Sequence, residues 1–139
     1  MRHTRLGDTY LLRLETDEEI VGAVTRFAAD HGIQAASVEG IGSVHAAVLG
    51  YFDRATKQYL RRTFDDDMEI LSLLGNLALN DGKPFAHVHV VLGDREFKAA
   101  AGHLFEGKTA ATCELVIRPL SGSARRAKDE ATGLALLDL

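Results

Sequence analysis

The chain has 139 residues, which is the size of one ordinary domain, and we expect a single domain over residues 1–139. Hydrophobic residues make up 46% and charged residues 26%, without an apolar run of about 18 residues, so the composition favours a soluble globular protein and excludes a membrane-spanning helix. The net charge is −4, whereas a protein that binds nucleic acid by itself usually has an excess of basic residues. The single cysteine excludes an internal disulfide framework. The first residues do not resemble a secretory signal, so we expect a cytoplasmic protein.

Near the start of the chain the pattern predicts a strand followed by a helix. Residues 9–15 are rich in apolar and β-branched side chains, and a polar cluster follows them. Thr16 and Glu19 have capping-box spacing, which places the helix start at Thr16. Gly32 has the position of a helix C-terminus. The apolar residues between them recur at helical spacing, so the helix should pack on a sheet: Ile20, Val21, Val24, Phe27 and Ala28.

Two strand-like runs come next, at residues 35–43 and 44–53, with glycines between them. Gly40 and Gly42 indicate a bulge, a bend, or close approach of another backbone or a ligand. A phosphate-binding loop is a weak alternative, because the third glycine of a dinucleotide fingerprint and a following Gly-Lys-Ser/Thr are both missing. His45 lies in the second run and receives no special role.

The middle of the chain predicts two further strands. Residues 58–64 alternate after a polar turn and form the second arm of a hairpin. The acidic residues 65–67 lack the spacing of a calcium loop, so a solvated turn is favoured. Residues 68–79 form a long apolar strand, and the turn signal at 80–84 joins it to the next strand. Glu69 interrupts this apolar strand, either as an edge charge or as a residue that faces a polar site.

The segment most informative about chemistry carries three histidines. His87 and His89 stand two apart in the strand-like residues 85–92, so their side chains should share one face. His103 follows a Gly-Asp turn and a short alanine-rich segment, and a chain that doubles back would bring it opposite the pair. Three neutral imidazoles make a site for zinc or a similar divalent ion, with one coordination position left open. The simpler alternative is a set of solvated histidines. Cys113 is expected to be a small buried apolar residue rather than a ligand.

The pattern of the remaining residues predicts a strand, a mobile segment and a possible short edge strand. Residues 97–101 are read as a helical turn or a loop, and residues 109–119 as a strand. Residues 121–132 are small, polar and charged, and we expect them to be mobile. Residues 133–139 are apolar again and could form a short edge strand. Together the elements predict an α+β fold: a mostly antiparallel sheet of about seven strands with one main helix packed on it. A second apolar face of this sheet would need a partner, and oligomerisation would cover it.

The ordered set of motifs resembles the plants-and-prokaryotes-conserved (PPC) domain family, known in plants from AT-hook nuclear-localised proteins. The resemblance covers about residues 5–119 and is carried by short segments at residues 5–7, 32–36, 40–43, 49–53, 69–76, 81–85, 87–89 and 102–104. It implies a homotrimer, and it implies a metal on His87, His89 and His103, as in similar bacterial and archaeal members.

The chain departs from the plant members of this family at three places. The Arg-Gly-Arg-Pro hook that binds AT-rich DNA is missing, although the family is commonly described as DNA-binding. The plant Gly-Arg-Phe-Glu-Ile-Leu segment, which contacts partner transcription factors, corresponds to residues 66–71 without its Arg-Phe pair. The usual Gly-Gly-His is Ala101-Gly102-His103 here, which leaves the candidate ligand in place.

Three hypotheses for function follow. The first is a trimeric zinc-binding module with a regulatory or interaction role, which includes binding of a protein partner. The second is a zinc-dependent enzyme that acts on a small molecule, with Glu69 as the proton-transfer group. The third is a DNA-associated transcriptional regulator, which the acidic net charge places last.

Overall fold

The computed structural model describes residues 1–139 as nine strands and one helix. In chain order these are β1 (Arg2–Leu6), β2 (Thr9–Leu14), α1 (Ile20–Asp30), β3 (Ala36–Asp53), β4 (Gln58–Phe64), β5 (Met68–Asn80), β6 (Lys83–Gly93), β7 (Ala99–Pro119), β8 (Arg125–Lys128) and β9 (Ala135–Asp138). The α+β class is therefore confirmed, and the sheet has nine strands rather than about seven. No helix has both the length and the apolar composition needed to cross a membrane.

All strands belong to one sheet, and four of them pair in a closed ring. β3 pairs with both β5 and β7, and β6 also pairs with both β5 and β7, so these four strands form a ring. The pairs are antiparallel except where β8 runs parallel to the end of β5. The core is one cluster of 25 buried residues, in which Ile20, Val24 and Phe27 of α1 pack on the sheet.

The helix starts later than the capping-box pattern predicts. The cap is Glu19, whose carboxylate accepts hydrogen bonds from the backbone N–H groups of Val21 and Gly22. Thr16 does not cap the helix, because the following residues pair with β7: the Asp17 N–H donates to the Thr109 carbonyl at 2.9 Å, and the Thr109 N–H donates to Glu18 at 3.0 Å. At the other end of the helix, Gly32 has the expected positive φ of 65°.

The two predicted strands at residues 35–43 and 44–53 are one long strand, β3, with a bulge between Gly40 and Gly42. The bulge interpretation of the two glycines is confirmed. A Cβ atom on Gly42, whose φ is 148°, would overlap the Thr112 carbonyl oxygen of the neighbouring strand. Glycine is therefore needed where the β7 backbone comes close.

Three segments differ from their sequence-based interpretation. The N-terminal strand β1 was not expected, because all five of its residues are exposed and no apolar alternation marks it. Residues 99–101, expected to be a helical turn or a loop, are strand and pair with β6. Residues 121–132 contain β8, for which the small and polar composition gave no signal; β9 follows and pairs only with β8.

Candidate metal centre

The β6–β7 hairpin brings the three predicted histidines together. On β6 the side chains of Ala86, Val88 and Val90 are buried in the core, so His87 and His89 lie on the opposite face. His103 on β7 is the direct cross-strand partner of His89. The turn between the strands is held by Asp94, whose carboxylate accepts hydrogen bonds at 2.8 and 2.9 Å from two backbone N–H groups within the turn.

The geometry of the triad suits a divalent ion. The Nε2 atoms of His87 and His89 are 3.2 Å apart, and one ligand atom from each histidine lies within 4.8 Å of the other two. Two nitrogens bound to one tetrahedral zinc at about 2.05 Å would be about 3.3 Å apart. The His87–His89 pair already has this spacing, and His103 lies near enough to offer a third nitrogen.

His103 is held by aromatic neighbours. Its ring centroid is 4.6 Å from that of Phe105 and 5.5 Å from that of Tyr59. A Cβ atom on Gly50 would overlap the Phe105 ring, so a glycine is needed there to seat this aromatic wall. The Nδ1 atom of His103 is buried without a hydrogen-bond partner, which is a group that costs free energy unless something binds it.

The rings of His87 and His103 are neutral at pH 7. The pKa of His103 is lowered from 6.5 to about 4, chiefly by burial, with His87 and His89 when protonated, Arg61 and Arg126 as further causes of the same shift. Burial also lowers the pKa of His87, with Arg126 and His89 as further causes. A metal ion binds the neutral imidazole, so these environments favour metal binding over protonation.

Two residues beside the triad were missed by the sequence analysis. Arg126 of β8 donates a hydrogen bond of 2.6 Å to the Asn76 side chain, and Asn76 is the cross-strand partner of His87. Arg126 also donates to the Ala135 carbonyl at 2.9 Å. No local sequence signal could have found this pair, because its members are 50 residues apart and Arg126 lies in a segment expected to be mobile.

Glu69, the candidate proton-transfer group, is not brought to the triad within this chain. It pairs with Gly93, which is four residues beyond His89 on β6, a displacement of roughly 13 Å along the strand. Its side chain is exposed and borders a separate concave surface with Ser43 and Arg95. Glu69 is paired on both sides, with Ser43 of β3 and with Gly93 of β6, so it is an exposed carboxylate inside the sheet rather than a charge on its edge.

Two other residues singled out in the sequence lie apart from the triad. Cys113 is fully buried, and burial raises the pKa of its thiol to about 12, which confirms that it is a small core residue. His45 contacts the carboxylate of Asp17 at 3.1 Å and has no contact with the three histidines.

A concave surface of about 760 Å³ lies beside the triad and includes none of the three histidines. It runs over the outer face of the sheet and is lined by exposed apolar side chains, among them Leu11, Ile41, Leu71 and Leu74. Leu74 is the cross-strand partner of His89, so the apolar face and the triad meet at this pair.

Comparison with known proteins places this geometry in a wider group. The family model of the Plants and Prokaryotes Conserved (PCC) domain matches residues 1–121. A metal-containing protein from Archaeoglobus fulgidus is 41% identical with a TM-score of 0.88, and the match covers 95% of this chain and 94% of that one. No curated protein gives a significant match.

Two further solved structures are similar over nearly their whole length. A plant- and prokaryote-conserved (PPC) protein from Pyrococcus horikoshii is 33% identical with a TM-score of 0.89, covering 99% of this chain and 95% of that one. A proposed DNA-binding protein from Bacteroides thetaiotaomicron is 30% identical with a TM-score of 0.95, covering 99% and 96%.

Proposed function

Because the chain belongs to the Plants and Prokaryotes Conserved (PCC) domain family, we propose that it is a metal-binding module with a regulatory or interaction role. Each chain holds one zinc or other divalent ion on His87, His89 and His103. The observation that carries the proposal is the convergence of the three ring nitrogens within 4.8 Å. The similarity to a metal-containing archaeal protein supports it.

The module is a homotrimer in this proposal, assembled through the outer face of the sheet. Ile41, Leu71 and Leu74 are 57–59% exposed there, which is costly for side chains of this size on a solvated face. Another copy of the chain would cover them and would lie beside the triad, because Leu74 is opposite His89. Closed symmetry is the usual way in which such a face is buried.

Catalysis at the metal is the alternative, since three nitrogens leave one coordination position free for water. Its weakness is the position of Glu69, which lies roughly 13 Å along the strand from His89 and faces solvent. Catalysis at the metal would therefore need a proton-transfer group other than Glu69. The metal-binding module without catalysis therefore ranks first.

DNA binding ranks below both. A similar Bacteroides protein is described as a proposed DNA-binding protein. This chain has 16 lysines and arginines against 20 acidic residues, and affinity for DNA depends on neutralising phosphates. Binding in a gel-shift assay that persists at about 0.15 M salt would raise this function above the others.

The test of the proposal is elemental analysis of untagged protein purified without chelators. We expect about one divalent ion per chain in the parent and none in the double variant His87→Ala/His89→Ala. The matched control is His45→Ala, which removes an imidazole outside the triad and should leave the metal content unchanged. The mass in solution, measured on the same samples, should be that of a trimer. A parent that stays metal-free after incubation with zinc would overturn the metal site.

A further inference from the structure

Two arginines lie on opposite sides of the histidine triad. The guanidinium of Arg126 is bonded to Asn76 beside His87, and its central carbon is 5.3 Å from the ring centroid of Phe85. Phe85 and His87 are two apart on β6 and share a face. Arg126 therefore reaches across β5 from its own strand to the edge of the triad.

Arg61 approaches from the other side. Gly50 of β3 pairs with Arg61 of β4 on one side and with His103 of β7 on the other, so the three residues form a row across the sheet. Two strand spacings separate Arg61 from His103, about 10 Å between backbones, which is within reach of an arginine side chain. Its guanidinium stacks 3.8 Å above the centroid of Phe105, the ring that also packs against His103.

The two side chains that flank the triad, Arg61 and Arg126, are both positively charged. Neither arginine forms an ion pair with a carboxylate, and the Nε atom of Arg126 is buried without a hydrogen-bond partner. A divalent ion on three neutral imidazoles adds two more positive charges. An anion in the open coordination position would balance them.

We propose that the metal on this triad binds the oxyanion of a small molecule, a carboxylate or a phosphate, with Arg126 and Arg61 as its recognition groups. The inference rests on the proposed metal site and gives it a ligand class. An oxyanion can use one oxygen for the metal and another for a guanidinium, whose planar N–H groups match carboxylate and phosphate geometry.

The test uses the protein loaded with cobalt(II) in place of zinc, because the visible spectrum of cobalt reports its ligands without requiring any activity. Acetate and inorganic phosphate are titrated separately, and acetamide serves as the neutral match for acetate. We expect a saturable spectral change with at least one of the two anions and none with acetamide. The anion that saturates at the lower concentration distinguishes a carboxylate ligand from a phosphate ligand.

Four variants locate the recognition groups. Arg126→Gln and Arg61→Gln should each raise the anion concentration at half-saturation by about tenfold or more, since each removes a charge-assisted hydrogen bond. The controls are Arg125→Gln and Arg62→Gln, adjacent residues that point to the opposite face of their strands and should leave the titration unchanged. Arg126 also anchors β8, whereas Arg61 is exposed, so the Arg61 variant decides the matter if the Arg126 variant fails to fold.

The outcomes separate this inference from the proposed function. A cobalt spectrum that ignores both anions, or equal half-saturation in the parent and all folded variants, overturns the oxyanion site and leaves the metal site standing. A protein that takes up no cobalt overturns the metal site and the oxyanion site with it.

Discussion

Replacing His103 with leucine is expected to stabilise the metal-free protein while it abolishes the metal site. The native ring carries a buried Nδ1 atom without a hydrogen-bond partner. An unsatisfied buried polar atom costs about 1–3 kcal/mol, and leucine removes it while keeping an apolar side chain against Phe105 and Tyr59. Because the site is only half-buried, we expect a gain of about 1–2 kcal/mol in the free energy of unfolding at pH 7.5.

The difference between parent and variant should grow as the pH falls. The pKa of His103 is lowered from 6.5 in the unfolded chain to about 4 in the folded one. Above pH 6.5 the ring is neutral in both states and adds no pH dependence. Between pH 6.5 and 4 the unfolded chain binds a proton that the folded chain does not, so the parent loses stability as the pH falls. This pKa shift corresponds to a loss of at most about 3.4 kcal/mol in the free energy of unfolding, and solvent around the half-buried ring reduces the loss to about 1–2 kcal/mol.

Zinc should reverse the order. A ligand at 100 times its dissociation constant stabilises the folded state by about 2.7 kcal/mol, and only the parent retains the full triad. The assay is urea unfolding of both proteins at one protein concentration, at pH 7.5 and 5.0 with chelator and at pH 7.5 with zinc. A metal-free His103→Leu protein that is less stable than the parent at pH 7.5 would refute the reasoning from the unpartnered nitrogen.

Three further predictions test the surroundings of the site. Gly75→Ala should lower the free energy of unfolding by about 2–3 kcal/mol and weaken zinc binding, because its Cβ would overlap the carbonyl oxygen of His87. Urea unfolding and a zinc titration measure these two effects, and an unchanged zinc affinity would contradict the prediction. Leu74→Asp should convert the proposed trimer to smaller species in light scattering, whereas Leu120→Asp, equally exposed but outside the apolar concavity, should leave the mass unchanged. Cys113 should react with a thiol reagent only on unfolding, and rapid labelling of the native protein would argue against its burial.

The sequence predicted those parts of the fold that depend on local patterns. The β5–β6 hairpin follows from two apolar runs and the Asp81-Gly82 turn, and both turn residues have the positive φ that such turns require. Alternation on β6 placed His87 and His89 on one face, as the structure has them. Residues 16–19 were misread because their backbone pairs with Thr109, and nothing in a local capping pattern can reveal a partner so far along the chain.

Some residues of the candidate site could be predicted from local sequence patterns and others could not. The histidines could be found because ring nitrogens in a two-residue spacing on a strand have a recognisable chemistry. Arg61 and Arg126 could not, since the distant pairings of Gly50 with His103 and of β5 with β8 are what bring them beside the triad. Glu69 was singled out because it interrupts an apolar run, yet its position on β5 places it beyond the far end of the triad.

The ring of β3, β5, β6 and β7 also bears on the order in which the protein folds. The β3–β7 contacts join residues as far apart as Ala36 and Pro119, and such pairings carry a high entropic cost of loop closure. His89 and His103 are only 14 positions apart and meet within a single hairpin. The triad can therefore assemble before the ring closes. A metal ion bound to the three histidines at that stage would stabilise the β6–β7 hairpin and hold β7 in position to pair with β3.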